Sequence, residues 1–322
     1  MYRPEIKVVD CTIRDGGLMN DSKFKLKTVR EVYKAICASG VDYVELGYKN
    51  SKEMFPESKY GIWRHSDEEH LKKAVDGVDP GSTKVAVMMD AHKADPEDIT
   101  PCSDSVIDMI RVATYVKDID KAIYLAETAN SRGYETTINI MAISHTLDRE
   151  LDEALDQVSK ETKAKACYIV DSFGALYSED IDYFIEKYRS RLGDKIEIGV
   201  HCHNNQQLGF GNTIEGIIKG ANYLDATLYG VGRGAGNCPL ELLVGFLKNP
   251  KFNIRPLVEA AGKTIVPLQK EFEWGYRLPY MISGILNLHP LEAMEYLRAE
   301  KKSGKIGDIM AFYERMLEES KG

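Results

Sequence analysis

Short apolar runs alternate eight times with helix-periodic segments along residues 5–247, and this alternation restricts the fold more than any other feature. The runs cover 5–11, 42–47, 84–89, 105–112, 135–142, 166–171, 196–203 and 223–228. They are continuously apolar, as parallel strands buried on both faces are. The segments between them carry apolar residues three and four apart. Leu26, Val29, Val32, Tyr33 and Ile36 form such a stripe over 25–39, closed by Gly40. Further helices are predicted from near Ser66, where Glu69 completes a capping box, and from near Pro96. Others are predicted over 118–132, 148–163, 178–192, 208–219 and 239–247. Eight strand–helix units over about 245 residues fit an α/β fold, the (β/α)8 TIM barrel. A doubly wound open sheet is the alternative. Residues 1–250 read as the barrel domain and 251–322 as a C-terminal helical appendix. The appendix has helical periodicity at Leu257, Ala260, Ala261 and Ile265, a turn around Pro279, and helices over 290–299 and 306–319.

Charge and composition narrow the function. A net charge of −8 argues against a surface that tracks nucleic-acid phosphates. No run of about 18 apolar residues offers a membrane span, and the start Met1-Tyr-Arg-Pro-Glu has no leader-like apolar stretch. A cytoplasmic protein is expected. Its six cysteines, without a CxxC pair, read as reduced and mostly buried thiols rather than a zinc knuckle.

In such a barrel the strand C-termini carry the site. Arg14 and Asp15 end the first run just before a Gly16-Gly17 tight turn, and Glu45 ends the second. Asp171 and Ser172 end the sixth, and His201 and His203 the seventh. On a strand these two histidines point one way, about 7 Å apart, and Cys202 points the other. The loop Gly230-Val-Gly-Arg-Gly-Ala-Gly-Asn237 follows the eighth run. Its glycine spacing is not the dinucleotide fingerprint. Asp15, His201, His203 and Asn237 thus converge as a mixed oxygen and nitrogen set suited to Mn2+ or Mg2+, with Zn2+ or Co2+ as alternatives. Two open positions suit the carboxylate and keto oxygens of a 2-oxo acid, and Arg14 is placed to stabilise an enolate.

Asp10-Cys-Thr-Ile-Arg-Asp-Gly16 resembles the D-x-T-L-R-D-G signature of the DRE-TIM metallolyases. That superfamily includes 4-hydroxy-2-oxovalerate aldolase, hydroxymethylglutaryl-CoA lyase, isopropylmalate and homocitrate synthases, and pyruvate carboxyltransferase domains. His201-Cys-His203 is similar to its H-x-H motif and Gly234-Ala-Gly-Asn237 to its A-G-N loop. Asp171-Ser-Phe-Gly174 and Asn237-Cys-Pro-Leu-Glu241 resemble the aldolase branch. The resemblance implies Asp15, His201, His203 and Asn237 as metal ligands and Arg14 as the catalytic arginine. Arg14, Glu45, Asp171 and Ser172 are the expected substrate-binding residues. Gly275-Tyr276 is matched to a Gly-Tyr segment near the aldolase active site, which makes Tyr276 a catalytic candidate.

The departures are equally specific. The aldolases place a histidine base where this chain has Leu18. A base must then come from a metal-bound hydroxide, from Tyr276 or from His65. Cys238 reads as a packing residue. The long loop 48–65, with Lys49, Lys52, Lys59, Arg64 and His65, is placed to meet an anionic or hydroxyl-rich second substrate. The expected activity is metal-dependent making or breaking of a C–C bond through a pyruvate enolate, with a 2-oxo acid and an aldehyde as substrates. The C-terminal helices are expected to contact an acylating aldehyde dehydrogenase or a second copy of the chain. An acyl-CoA-dependent Claisen-type synthase, a hydroxymethylglutaryl-CoA-lyase-like enzyme and a non-catalytic metal-binding homologue are the alternatives.

Overall fold

In the computed structural model, which describes residues 3–321, the eight runs close into one parallel barrel in chain order. Met1 and Tyr2, of the start Met1-Tyr-Arg-Pro-Glu read above, lie outside the described residues. The strands are β1 (Lys7–Asp10), β2 (Tyr43–Tyr48), β3 (Lys84–Asp90), β4 (Met109–Thr114), β5 (Glu135–Ile140), β6 (Ala166–Asp171), β7 (Glu197–Cys202) and β8 (Tyr223–Ala226). β8 returns to β1, with Lys7 opposite Tyr223 and Asp10 opposite Ala226. The sheet therefore closes on itself, and the open doubly wound alternative falls.

Strand alternation sorts the two faces. Val8, Val44, Val87, Val112, Ile138 and Val200 point outward into the main core beneath the helices. Val9, Tyr43, Ala86, Met109, Tyr168 and Tyr223 point inward and fill the lower lumen. Gly199 makes room there, since a Cβ at that position would meet the Tyr168 ring at 2.6 Å. The same inward face of β7 then carries His201.

Several local readings change. Thr12–Gly16 is one helical turn, and the double glycine leaves it in the expected tight turn, the Gly16 carbonyl accepting from the Met19 N–H at 3.0 Å with Gly17 at φ −61°. The capping box does not form. Helix Glu68–Val75 starts after Asp67, while the Ser66 hydroxyl donates to the Leu46 carbonyl at 2.9 Å and Glu69 pairs with Lys73. Between β3 and β4 the helix expected near Pro96 is replaced by two single 3-10 turns, Pro96–Asp98 and Cys102–Asp104. Pro96 and Pro101 interrupt any longer ladder of helical hydrogen bonds.

Beyond the barrel, helix Ile254–Ala260 lies against helix Leu26–Ser39. Pro279 sits in the first turn of helix Leu278–Ile285 rather than in a loop, where its missing N–H loses no bond. Helices Leu291–Ser303 and Ile309–Glu319 follow. Tyr280, Ala293, Leu297 and Phe312 pack with Ala235, which seats these helices on the Gly-rich loop at the barrel mouth. Among the described residues no helix is long and apolar enough to cross a membrane. All six cysteines are free, and five are buried.

Candidate metal centre

The upper lumen holds a closed circuit of buried charge. His201 Nδ1 lies 2.9 Å from Asp225 Oδ2 on the neighbouring strand β8. Asp225 accepts both bonds of a bidentate pair from Arg111 on β4, at 2.9 and 2.7 Å. Arg111 reaches Glu45 on β2 at 3.0 Å, and Glu45 accepts from Arg14 Nε at 2.7 Å. Arg14 Nη1 contacts Asp15 Oδ2, which lies 3.5 Å from His201 Nε2 and closes the circuit. All six side chains are at most 6% exposed. Three carboxylates against two guanidinium groups leave one net negative charge for a cation to meet.

Asp15, Asp225 and His203 are held in forms that suit a metal site, while against burial the bonds to Asp15 and Asp225 raise His201 from its ordinary value. Burial acts to raise the Asp15 carboxyl, but Arg14 and the two histidines outweigh it and hold it well below the usual carboxylate range. Burial likewise opposes ionisation of Asp225, and Arg111 with His201 brings it down to about 2. Burial, with Arg233, His201 and Arg14 nearby, keeps His203 well below the usual histidine value despite the pull of Asp15, and so neutral. With His201 Nδ1 given to Asp225, its Nε2 is left for a metal, the arrangement by which an outer carboxylate orients an imidazole ligand.

One oxygen of Asp15, one nitrogen of His201 and one of His203 lie within 4.8 Å of one another. Asn237 completes the set. Its backbone bridges to His203, its side chain is buried, and its Oδ1 has no hydrogen-bond partner. Buried polar atoms are ordinarily paired, so an orphaned oxygen on a residue bridged to His203 fits a metal ligand. Gly232 leaves the necessary space, because a Cβ there would meet Asn237 Nδ2 at 2.2 Å and Asp15 Oδ1 at 2.7 Å. A second trio, Cys11, His201 and Asp225, is also close-set. Arg111 already occupies both its thiol and its carboxylate, so it is structural.

The four expected ligands and Arg14 thus come together from β1, β7 and the loop after β8. Asp15, His201 and His203 face a cavity of about 200 Å³, smaller than the roughly 300–1,000 Å³ of clefts for drug-sized ligands. Arg14 and Ser172 also line it. Glu45 does not. It stands behind Arg14 and is wholly buried, so it positions the arginine rather than touching a ligand. Asp171 also turns away, accepting from the backbone N–H groups of Ala175 and Leu176 at 2.9 and 3.4 Å. Burial pushes its carboxyl up to about 7. Tyr276 is 54% exposed and absent from the cavity wall, as is His65, whose Nδ1 lies 3.1 Å from the Asn50 carbonyl. Cys238 is buried, and burial pushes its thiol up to about 12.

Several lining or supporting residues escaped the sequence reading. Arg111 and Asp225 were legible in principle, as lone charges inside apolar strands. Tyr48, Arg233 and His289 also line the cavity, as does Arg64 from the loop expected to meet a second substrate. His289 comes from the loop between helices Leu278–Ile285 and Leu291–Ser303, with Arg233 Nη1 3.3 Å from its Nε2. Burial and that arginine push it down to about 4. Nothing local to residue 289 marks it.

The family model described as HMGL-like matches residues 5–260. The chain belongs to the HMGL-like family. Among curated relatives, it is 27% identical over 241 residues to oxaloacetate decarboxylase of Mycobacterium tuberculosis, which covers 75% of this chain and 69% of the relative. It is 28% identical over 265 residues to 4-hydroxy-2-oxovalerate aldolase of Thermus thermophilus, covering 81% and 75%. Among solved structures, the N-terminal domain of a Bacteroides vulgatus protein provisionally named an aldolase superposes with a TM-score of 0.78 at 31% identity, covering 91% of this chain and 96% of that one.

Proposed function

We propose that this HMGL-like protein is a divalent-metal-dependent carbon–carbon lyase that makes or breaks a bond next to the enolate of a 2-oxo acid, in the manner of a 4-hydroxy-2-oxo acid aldolase. The observation that carries the reading is the convergence of Asp15, His201 and His203 within 4.8 Å, beside the orphaned Asn237 oxygen and Arg14. Mn2+ or Mg2+ held by these four residues would supply Lewis-acid polarisation of the ketone. Arg14 presents its remaining N–H donors to the oxygen that gains charge. Glu45 and Asp15 fix the plane of its guanidinium.

Proton handling falls to another residue, since Leu18 carries no transferable proton. Leu18 packs beside Tyr48, Met88 and Ala113 on the cavity wall. Burial pushes the Tyr48 phenol up from its ordinary value, so it stays protonated at neutral pH. It is suited to deliver a proton to the enolate carbon after the C–C bond breaks. Free cysteines fit work in the reducing cytoplasm. The half-exposed Leu278, Ile285, Leu291 and Met310 on the C-terminal helices support a contact surface for an aldehyde dehydrogenase or a second copy. Light scattering that returns only monomer, with and without a dehydrogenase, removes that part.

The test of the chemistry is proton exchange of pyruvate in D2O, followed by NMR, with Mn2+ and with chelator, on wild type and Asp15→Asn. Metal-dependent loss of the methyl signal, absent from the variant, is expected. Silence with Mn2+ demonstrably bound sinks the reading for pyruvate. A second reading, decarboxylation of oxaloacetate, is favoured by Leu18 itself, because releasing CO2 from a 3-carboxylate needs no base for a hydroxyl. Comparing CO2 release from oxaloacetate with aldehyde release from a 4-hydroxy-2-oxo acid separates the two.

A further inference from the structure

Among the described residues, Arg64 is a buried cation without an anion. It is 7% exposed and lies on the wall of the metal cavity. Among the described residues no carboxylate lies within ion-pair distance of it, and its Nε has no hydrogen-bond partner. Of the other cations of the cavity, Arg14 is paired with Asp15 and Glu45, and Lys93 with Asp90 at 2.6 Å. Arg233 also has an unpartnered Nε, but its Nη atoms are engaged by the Ser172 carbonyl and by His289. Burying a charge unpaired is unfavourable, so a group that the fold keeps this way calls for a partner from outside.

The surroundings hold Arg64 ready. Its guanidinium carbon lies 4.7 Å from the Tyr48 ring centroid, 5.0 Å from Phe55 and 5.4 Å from Tyr60. Aromatic contacts engage the faces of a guanidinium and leave its in-plane fork of N–H donors for a flat or tetrahedral oxyanion. The backbone is fixed too. Arg64 N–H donates to Gly61 at 3.0 Å, and its carbonyl accepts from Asn50 at 3.2 Å. Trp63, fully buried beside it, donates to the Phe24 carbonyl at 2.8 Å. Lys52, in the same loop, instead reaches Glu57 and Asp67 at the surface.

We propose that Arg64 anchors an oxyanion, a carboxylate or a phosphate, on the second substrate, the carbonyl compound that joins or leaves the enolate. Arg14, Arg64 and Tyr48 line the same cavity, so one substrate group at each arginine would place the new bond within reach of the phenol. The inference rests on the enolate chemistry proposed above.

The experiment uses the Mn2+-loaded full chain, pyruvate, and two matched pairs of aldehydes. One pair is butanal and succinic semialdehyde, the other glyceraldehyde and glyceraldehyde 3-phosphate. Pyruvate exchange by the wild type is measured alongside. The expected result is a kcat/KM ratio favouring the charged member of one pair by roughly 100-fold, with that pair identifying carboxylate or phosphate. Arg64→Met should bring the ratio toward one. Arg64→Lys, which keeps the charge and the stem beneath the rings, should retain part of it and guards against a folding defect in the methionine variant. If wild type exchanges pyruvate protons but prefers the neutral aldehydes, uses no charged one, or keeps its ratio in both variants, the anchor is overturned and the enolate chemistry stands. If wild type exchanges nothing, the underlying reading fails first.

Discussion

His201 Nδ1 and Asp225 Oδ2 lie 2.9 Å apart across neighbouring strands, and this contact ties the candidate metal ligand to the buried charges beneath it. Asp225 in turn rests on Arg111, so a change at residue 225 is felt both at the metal and in the lumen.

Asp225→Asn is expected to weaken Mn2+ binding by roughly 10–100-fold, the usual loss when an outer partner of a histidine ligand is removed. It should also lower the melting temperature, because Arg111 loses one of its two carboxylates. Mn2+ titration followed by electron paramagnetic resonance checks the first effect and calorimetry the second. Unchanged Mn2+ affinity would remove Asp225 from the metal site.

Glu45→Gln leaves Arg14 and Arg111 with one carboxylate fewer in a wholly buried setting. Removing one partner of a buried pair typically costs about 3–5 kcal/mol. A urea melt showing less than about 1 kcal/mol of loss would mean that the circuit relaxes around the gap. Because Glu45 does not touch the cavity, kcat should fall through misplacement of Arg14, with less effect on KM.

Tyr48→Phe should slow pyruvate exchange by roughly 100-fold or more if its hydroxyl delivers the proton, the usual scale for such groups. Solvent-exchange NMR on the Mn2+ form reads this directly. Leu18→His, which puts a titratable group on the same wall, is expected to raise the rate of 4-hydroxy-2-oxo acid cleavage. A rate unmoved in both variants places proton transfer elsewhere.

Acid and base should each destabilise the metal-free protein, through different carboxylates. Asp225, held at about 2, contributes stability that is present above the ordinary carboxylate value of 3.8 and lost as the pH falls toward 2. Asp10 is raised to about 7 by burial, against the pull of its bonds from Thr12, and its Oδ2 has no partner. A raised carboxyl binds its proton more tightly when folded, so its ionisation lowers stability as the pH rises from about 4 through 7. Asp10→Asn should therefore flatten the fall in melting temperature between pH 5 and pH 8, as scanning calorimetry would show. An unchanged slope would assign that fall to other groups.

What the sequence determined by itself is local. The period of two along β7 puts His201 and His203 on one face. Apolar continuity over eight runs implies parallel strands covered on both sides, and the position of Arg14-Asp15 after the first run places them at the mouth. None of this needs a distant residue. Tertiary structure decided the rest. Asp225 meets His201 because β7 and β8 lie side by side in a particular register, and Arg111 links Glu45 to Asp225 because three strands face one lumen. His289 enters the cavity, and Tyr276 does not, through the packing of C-terminal helices on the loop around Ala235. The loop 48–65 shows the difference most clearly. Its row of cations was visible in the sequence, yet only burial beneath Tyr48, Phe55 and Tyr60 separates Arg64 from the surface lysines around it. The physical reason is that a side chain's type is local, while its partner and its exposure to water depend on chain segments far away in sequence.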